Sequence, residues 1–128
     1  MILDTSAIIA MVQKEPGFKV LLDKVHAVRR RAVSAPILVE TAFVLTRTME
    51  SDTEKELSLF LRSLNIRTLP FVDAHWREAA QAFRRFGKGR HPAGLNLGDC
   101  MTYATAKVAG FPLLCLGNDF SKTDLELA

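Results

Sequence analysis

Four carboxylates stand where a chain of alternating strands and helices could expose its chemistry: Asp4, Glu40, Asp99 and Asp119. Asp4 ends the apolar run Met1-Ile2-Leu3. Such a run without alternation reads as an interior strand of a parallel sheet, and its carboxyl end is where open α/β sheets place ligands. Asp4 reads equally as the cap of the apolar helix Ala7 to Val12, with Thr5-Ser6 turning the backbone. Leu113 to Leu116 is a second such run, and it too ends in turn residues and an acid, Gly117-Asn118-Asp119. Asp99 opens a helix that runs to Ala109 and is stopped by Gly110, so it is either a ligand or a cap. Glu40 sits alone in the apolar stretch Ile37 to Leu45. An unpaired buried carboxylate costs several kcal/mol, so Glu40 must lie at an edge, be protonated or face a cation.

In a parallel sheet the carboxyl ends of all strands share one rim, and Asp4 meets Asp119 there if the first and fourth strands are neighbours. Asp99 and Glu40 can reach the same rim from their helices. Two like charges about 4 Å apart repel by roughly 4 kcal/mol at an effective dielectric of 20, so a cluster of four acids needs protons or cations. Oxygen ligands without histidine or thiolate select Mg²⁺ or Mn²⁺. Such an ion can clamp a phosphodiester and activate water, which is metal-assisted phosphodiester hydrolysis.

The elements that must position these acids follow from periodicity. After the break at Glu15-Pro16-Gly17, Phe18, Leu21, Leu22 and Val25 fall at helical spacing, and this helix is expected to end near Arg29-Arg30-Arg31. Ala32 to Ala35 reads as a second strand, and Pro36 suits the first turn of the helix carrying Glu40. Ser51-Asp52-Thr53-Glu54 resembles a capping box for a helix buried through Leu57, Phe60, Leu61 and Leu64. Arg67-Thr68-Leu69 is a third strand. Asp73 then caps a helix whose stripe Trp76, Ala79, Ala80 and Phe83 is expected in the core. Residues 83–97 hold Arg84, Arg85, Lys88 and Arg90 among three glycines and a proline, a mobile basic loop that could grip phosphates or simply be a solvated helix terminus. Ser121 to Ala128 leaves room for a loop and a short edge strand. The alternation specifies an α/β fold, three layers with a mostly parallel sheet, in a single domain spanning residues 1–128.

The chain has 128 residues, 48% hydrophobic, with net charge +3 and a pI of about 9.1, a mild lean towards anionic partners such as nucleic acid. No run of 18 apolar residues and no basic leader is present, so neither a membrane span nor a signal peptide is expected. Cys100 and Cys115 lack zinc-site spacing and are expected to be buried free thiols in the cytoplasm. His26, His75 and His91 have no nucleophile or orienting acid at a recognisable spacing.

Ile2-Leu3-Asp4-Thr5-Ser6-Ala7, the lone Glu40, Leu95-Asn96-Leu97-Gly98-Asp99-Cys100 with Tyr103-Ala104, and Leu114-Cys115-Leu116-Gly117-Asn118-Asp119-Phe120 together resemble the PIN-domain proteins. Within these the resemblance is to the VapC toxins of type II toxin–antitoxin modules, in order along the whole chain. It implies a PIN fold with a five-stranded parallel sheet and a Mg²⁺-dependent endoribonuclease that arrests translation by cutting structured RNA, whether tRNA or rRNA. Asp4 and Asp99 match the family's metal ligands, Glu40 completes the acidic cluster, and Asp119 matches a fourth acid for which Asp124 is the nearby alternative. Ser6 matches a small hydroxyl residue that positions water or phosphate. The resemblance also implies a homodimer and a cognate VapB-type antitoxin that covers the cleft.

Two other readings compete. A non-catalytic PIN-like module that binds RNA or protein gains nothing from a negative cleft. A receiver-type phosphoacceptor expects paired acids after the first strand and one after the third, where this chain has Thr5-Ser6 and Pro70.

Overall fold

Met1, Ile2 and Leu3 are buried because they run through the middle of a sheet, and the layers form around that segment. The computed structural model describes all of residues 1–128. In chain order the elements are β1 (Ile2–Leu3), α1 (Thr5–Val12), α2 (Phe18–His26), β2 (Ala32–Ser34), α3 (Ala35–Thr48), α4 (Thr53–Ser63), β3 (Arg67–Leu69), α5 (Asp73–Phe86), α6 (Leu97–Ala109) and β4 (Leu113–Leu114). A single 3-10 turn, Phe120–Lys122, follows. The strands pair in parallel in the order β3-β2-β1-β4. The chain thus builds outward from β1 through β2 to β3, then crosses back to add β4 on the other flank of β1. That reversal makes the carboxyl ends of β1 and β4 a topological switch point.

Strand alternation divides the core in two. Leu3, Val33 and Leu114 pack with α1 to α4 residues such as Ile8, Ile37, Leu45 and Leu57. Ile2, Ala32 and Leu113 pack on the opposite face with Phe86, Leu95, Tyr103 and Ala106 from α5, α6 and the loop between them. Burying a Leu or Ile as fully as Leu3 and Ile8 contributes roughly 1.5–3 kcal/mol each. By the same alternation Asp4, two residues after Ile2, belongs to the α6 side.

Several expectations from the sequence are corrected. The sheet has four strands, not five: the C-terminus contributes only a parallel bridge of Leu127 to Leu113, with Leu113 N donating to Glu126 O and Ala128 N to Leu113 O. The turn at residues 120–122 and the anchored Asp124 consume the chain that would have lengthened it. β4 stops at Leu114 because Leu116 N turns aside to donate to Ser6 Oγ. Helix α2 ends at His26 instead of near the arginines. The cap of α4 is Asp52, whose side chain accepts from Lys55 N, and α5 is preceded by Val72, whose N–H donates to His75 Nδ1.

Two corrections concern surface chemistry. Trp76 and Phe83 are not core residues: they are 50% and 42% exposed, and the buried positions of α5 are His75, Ala82 and Phe86. Their stripe walls an apolar groove of about 440 Å³ with Phe71, Leu97 and Met101, which no other part of the chain covers. The basic segment is a closed loop. Lys88 N donates to Leu95 O, Leu95 N to Phe86 O, and Leu95 is fully buried beneath it.

Candidate active site

Asp4 is the N-cap of α1 and a buried carboxylate at the carboxyl end of β1. Its Oδ2 accepts from Ser6 N at 3.0 Å and from Ser6 Oγ at 2.6 Å, while Oδ1 accepts from Thr102 Oγ1 at 2.8 Å. The capping alternative left open by the sequence is therefore met. Three donors pin it while it is 7% exposed. Ser6 Oγ also accepts from Leu116 N, so one hydroxyl ties the end of β1 to the end of β4.

Asp99 is fixed differently. Asn96 caps α6 by accepting from Asp99 N at 2.9 Å, and Asp99 Oδ2 accepts in return from Asn96 N at 3.0 Å. This reciprocal box satisfies two orphan donors of the helix start and leaves Oδ1 without a hydrogen bond. Burial raises the Asp99 carboxyl above its ordinary range; the Asn96 hydrogen bond opposes this, and the charges of Asp4 and Asp119 add to it.

Glu40 comes to the rim from α3. Burial first, then the charges of Asp4 and Asp99, raise its carboxyl, with the Thr5 hydroxyl acting in the other direction. The carboxylate lies directly over the backbone of Gly98, where an added Cβ would stand 2.9 Å from Glu40 Cδ. Asp119, exposed beyond β4, reaches the cluster through its field on Asp99, and its side chain makes no capping hydrogen bond. Asp124 belongs elsewhere: it accepts from Tyr103 Oη at 2.5 Å and from Lys107 Nζ at 2.8 Å and pairs with Arg85 at 3.4 Å.

The four acids named from the sequence are thus coupled, although no three of the protein's Asp, Glu, His or Cys side chains converge on one point. Asp4 and Asp99 are held by hydrogen bonds from their neighbours, whereas Glu40 lies against Gly98 and Asp119 is exposed. The donor set still suits a hard divalent cation. Burial, with the Asp4 charge next, pushes the neighbouring Cys115 thiol up to about 11, so at neutral pH it is a thiol and the cluster offers oxygen alone. A further oxygen lies near. Ser34 Oγ is the one buried side-chain polar atom without a partner, and the Ile2–Ala32 register puts Ser34 beside Asp4, on the same face of the sheet. An orphaned buried hydroxyl beside a carboxylate fits a site that takes a polar guest.

Sequence reasoning missed Thr102, Ser34 and Gly98. Thr102 lies three residues after Asp99, on the same helical face, and that spacing was the available signal. Of the basic residues expected to hold RNA, Arg85 is paired with Asp124 and lies over Phe86, and Arg90 lies over Phe83. Arg84 and Lys88 are exposed and unpaired. None of them reaches the acids, whose strongest charged neighbours are one another.

Comparison with known proteins places the chain in a family. Residues 1–126 match the PIN domain family model. Ribonuclease VapC36 of Mycobacterium tuberculosis is 42% identical over 98% of the chain and 91% of its own length. Ribonuclease VapC of Mycolicibacterium smegmatis is 43% identical over 98% and 97%. Among solved structures, Mycobacterium tuberculosis VapC20, described as a sarcin-ricin loop cleaving toxin, superposes with a TM-score of 0.79 at 15% identity, over 99% of this chain and 97% of that one. A toxin–antitoxin complex from Klebsiella pneumoniae gives 0.72 at 14% identity, over 99% and 95%.

Proposed function

The chain belongs to the PIN-domain family, in its VapC group, and from that premise we propose that it is a metal-dependent endoribonuclease, the toxin of a type II toxin–antitoxin module. The observation that carries this reading is the joining of Asp4, Glu40, Asp99 and Asp119, from four distant segments, in one field at the β1–β4 switch point. Asp4, Asp99 and Asp119 would hold Mg²⁺, with Mn²⁺ able to substitute. Bound there, such an ion supplies a clamp on the phosphodiester and a water of lowered pKa.

The chain's own residues then divide the work. Asp4 and Asp99 are fixed in place by Ser6, Thr102 and Asn96 before substrate arrives, so little reorganisation accompanies binding. Glu40, with its raised proton affinity, takes the proton from the attacking water. Ser6 acts through Asp4 and Leu116 as a positioning residue, and the unpartnered Ser34 hydroxyl orients water. Arg84, Lys88 and Arg90 hold the backbone of a structured RNA, tRNA or rRNA, whose cleavage inhibits translation. The apolar groove of Trp76, Phe83 and Leu97 takes partner contacts, from a second copy and from a VapB-type antitoxin. No helix is long and apolar enough to cross a membrane, and we place the protein in the cytoplasm.

The test is internal cleavage of an end-labelled structured RNA in Mg²⁺ and after chelation by EDTA. Wild type should cut only with the metal, and Glu40→Gln and Asp99→Asn should each lose about 100-fold or more. Full cleavage by either variant overturns the reading.

A further inference from the structure

On the rim opposite the acids, at the amino ends of β2 and β3, Arg29, Arg30, Arg31 and Arg67 line a concavity of about 610 Å³. Two segments build it: the residues leading into β2 and the start of β3, held together by Arg67 N donating to Arg31 O at 2.9 Å. Arg31 is structural. Its guanidinium donates to Val28 O and Leu64 O and fastens the ends of α2 and α4 beneath the pocket. Arg29, Arg30 and Arg67 make no salt bridge and no side-chain hydrogen bond, and no Asp or Glu lines the concavity. Elsewhere Arg77, Arg85 and Lys107 have carboxylate partners. A surface serving only solubility gains from mixed signs, so three free guanidiniums around one hollow want an external anion.

The remaining wall narrows the class of anion. Leu69, two residues beyond Arg67 and therefore on its face of the sheet, and Phe111, half-buried before β4, give an apolar and aromatic surface. Planar guanidinium forks pair with phosphate oxygens, and an aromatic face stacks on a base. We propose that this pocket is a second nucleic-acid site, holding a phosphate-bearing unpaired nucleotide of the RNA with its phosphates on Arg29, Arg30 and Arg67 and its base on Phe111. It rests on the ribonuclease reading for the identity of the polymer. β2 is three residues long, so about 10 Å of strand separates this pocket from the acidic rim. A folded RNA passing around the β3 edge touches both.

The test is binding without metal, so that it does not depend on cleavage: anisotropy of a fluorescent RNA hairpin with a single-stranded tail, titrated across salt in EDTA. Arg29→Ala/Arg30→Ala/Arg67→Ala should bind about tenfold weaker or worse, with the log–log salt slope less steep by about 2 to 3. A charge-matched control, Lys19→Ala/Lys55→Ala/Arg77→Ala, should change neither by as much. Unchanged affinity and slope in the arginine variant, or an equal loss in the control, overturns the proposal. Titration with UMP separates a free nucleotide from the polymer: UMP that binds wild type through these arginines, while hairpin affinity is the same in both proteins, makes the pocket a mononucleotide site and overturns the RNA assignment. Metal-dependent cleavage by wild type, measured separately, tells a failed pocket from a failed nuclease.

Discussion

The carboxylate of Glu40 rests against the backbone of Gly98, in the space a Cβ would take, and this contact joins α3 to the start of α6 at the cleft. Gly98 is in the first turn of α6, where alanine would favour the helix by roughly 0.5–1 kcal/mol. Gly98→Ala should therefore leave the melting temperature unchanged or higher while displacing Glu40, and cleavage should fall by about 10- to 100-fold. The double variant Gly98→Ala/Glu40→Gln should be no slower than Glu40→Gln, since both changes act on one side chain. Additive losses in that cycle would show that Gly98 serves something other than Glu40.

The acids should separate in their effect on folding. Asp4→Asn keeps only one carbonyl oxygen for the donors Ser6 and Thr102 and turns an NH2 towards one of them, and should cost about 1–3 kcal/mol, as a buried donor left unsatisfied does. Glu40→Gln removes a charge that burial and two neighbouring carboxylates oppose, and should be neutral or stabilising without metal. Both should abolish cleavage. Mg²⁺ should raise the melting temperature of wild type, by an amount worth about 2.7 kcal/mol at 100 times its dissociation constant, and should raise that of Asp99→Asn much less. Denaturant melts with and without Mg²⁺ check this. Equal Mg²⁺ shifts in both proteins would remove Asp99 from the ligand set.

Ser34 offers a test in the opposite sense. Its hydroxyl is fully buried without a partner, a state that costs about 1–3 kcal/mol. Ser34→Ala should stabilise the metal-free protein by up to about that amount. If the hydroxyl orients water beside Asp4, cleavage should fall several-fold in the same variant. Lower stability with full activity would mean that Ser34 does neither.

What could be read from the chain and what could not differ in kind. The strand end carrying Asp4 is legible because an unbroken apolar run has few alternatives to an interior strand, and the rule for parallel sheets then places its carboxyl end; β4 stops at Leu114, short of Asp119. Glu40 was legible because a carboxylate in an apolar helix demands a reason. Thr102 and Gly98 meet Asp4 and Glu40, which lie 98 and 58 residues away, and Ser34 comes beside Asp4 only through the register of Ile2 with Ala32, none of which periodicity encodes. The Trp76 and Phe83 stripe was assigned inward because helical spacing identifies an apolar face without saying whether the same chain covers it. The fifth strand that the family resemblance implies does not form, because Tyr103 and Lys107 draw Asp124 sideways.

That same anchoring sets up a test of the two candidates for the fourth acid. Burial works to raise the Asp124 carboxyl, but hydrogen bonds from Lys107 and Tyr103 and the positive charges of Lys107 and Arg85 bring it down from 3.8 to about 2. A folded-state value below the unfolded one means that the folded protein binds this proton less tightly. The stability contributed by Asp124 is therefore complete above about 3.8 and drains away as the pH falls towards 2. Asp124→Asn should melt lower than wild type at neutral pH, and the gap should close as the pH is lowered through that window. Because Asp124 holds the C-terminal segment to α6 and stands outside the acid cluster, the folded variant should cleave RNA at the wild-type rate, whereas Asp119→Asn should retain full stability and lose activity. An Asp124→Asn protein that is fully folded yet inactive would transfer the fourth position from Asp119 to Asp124.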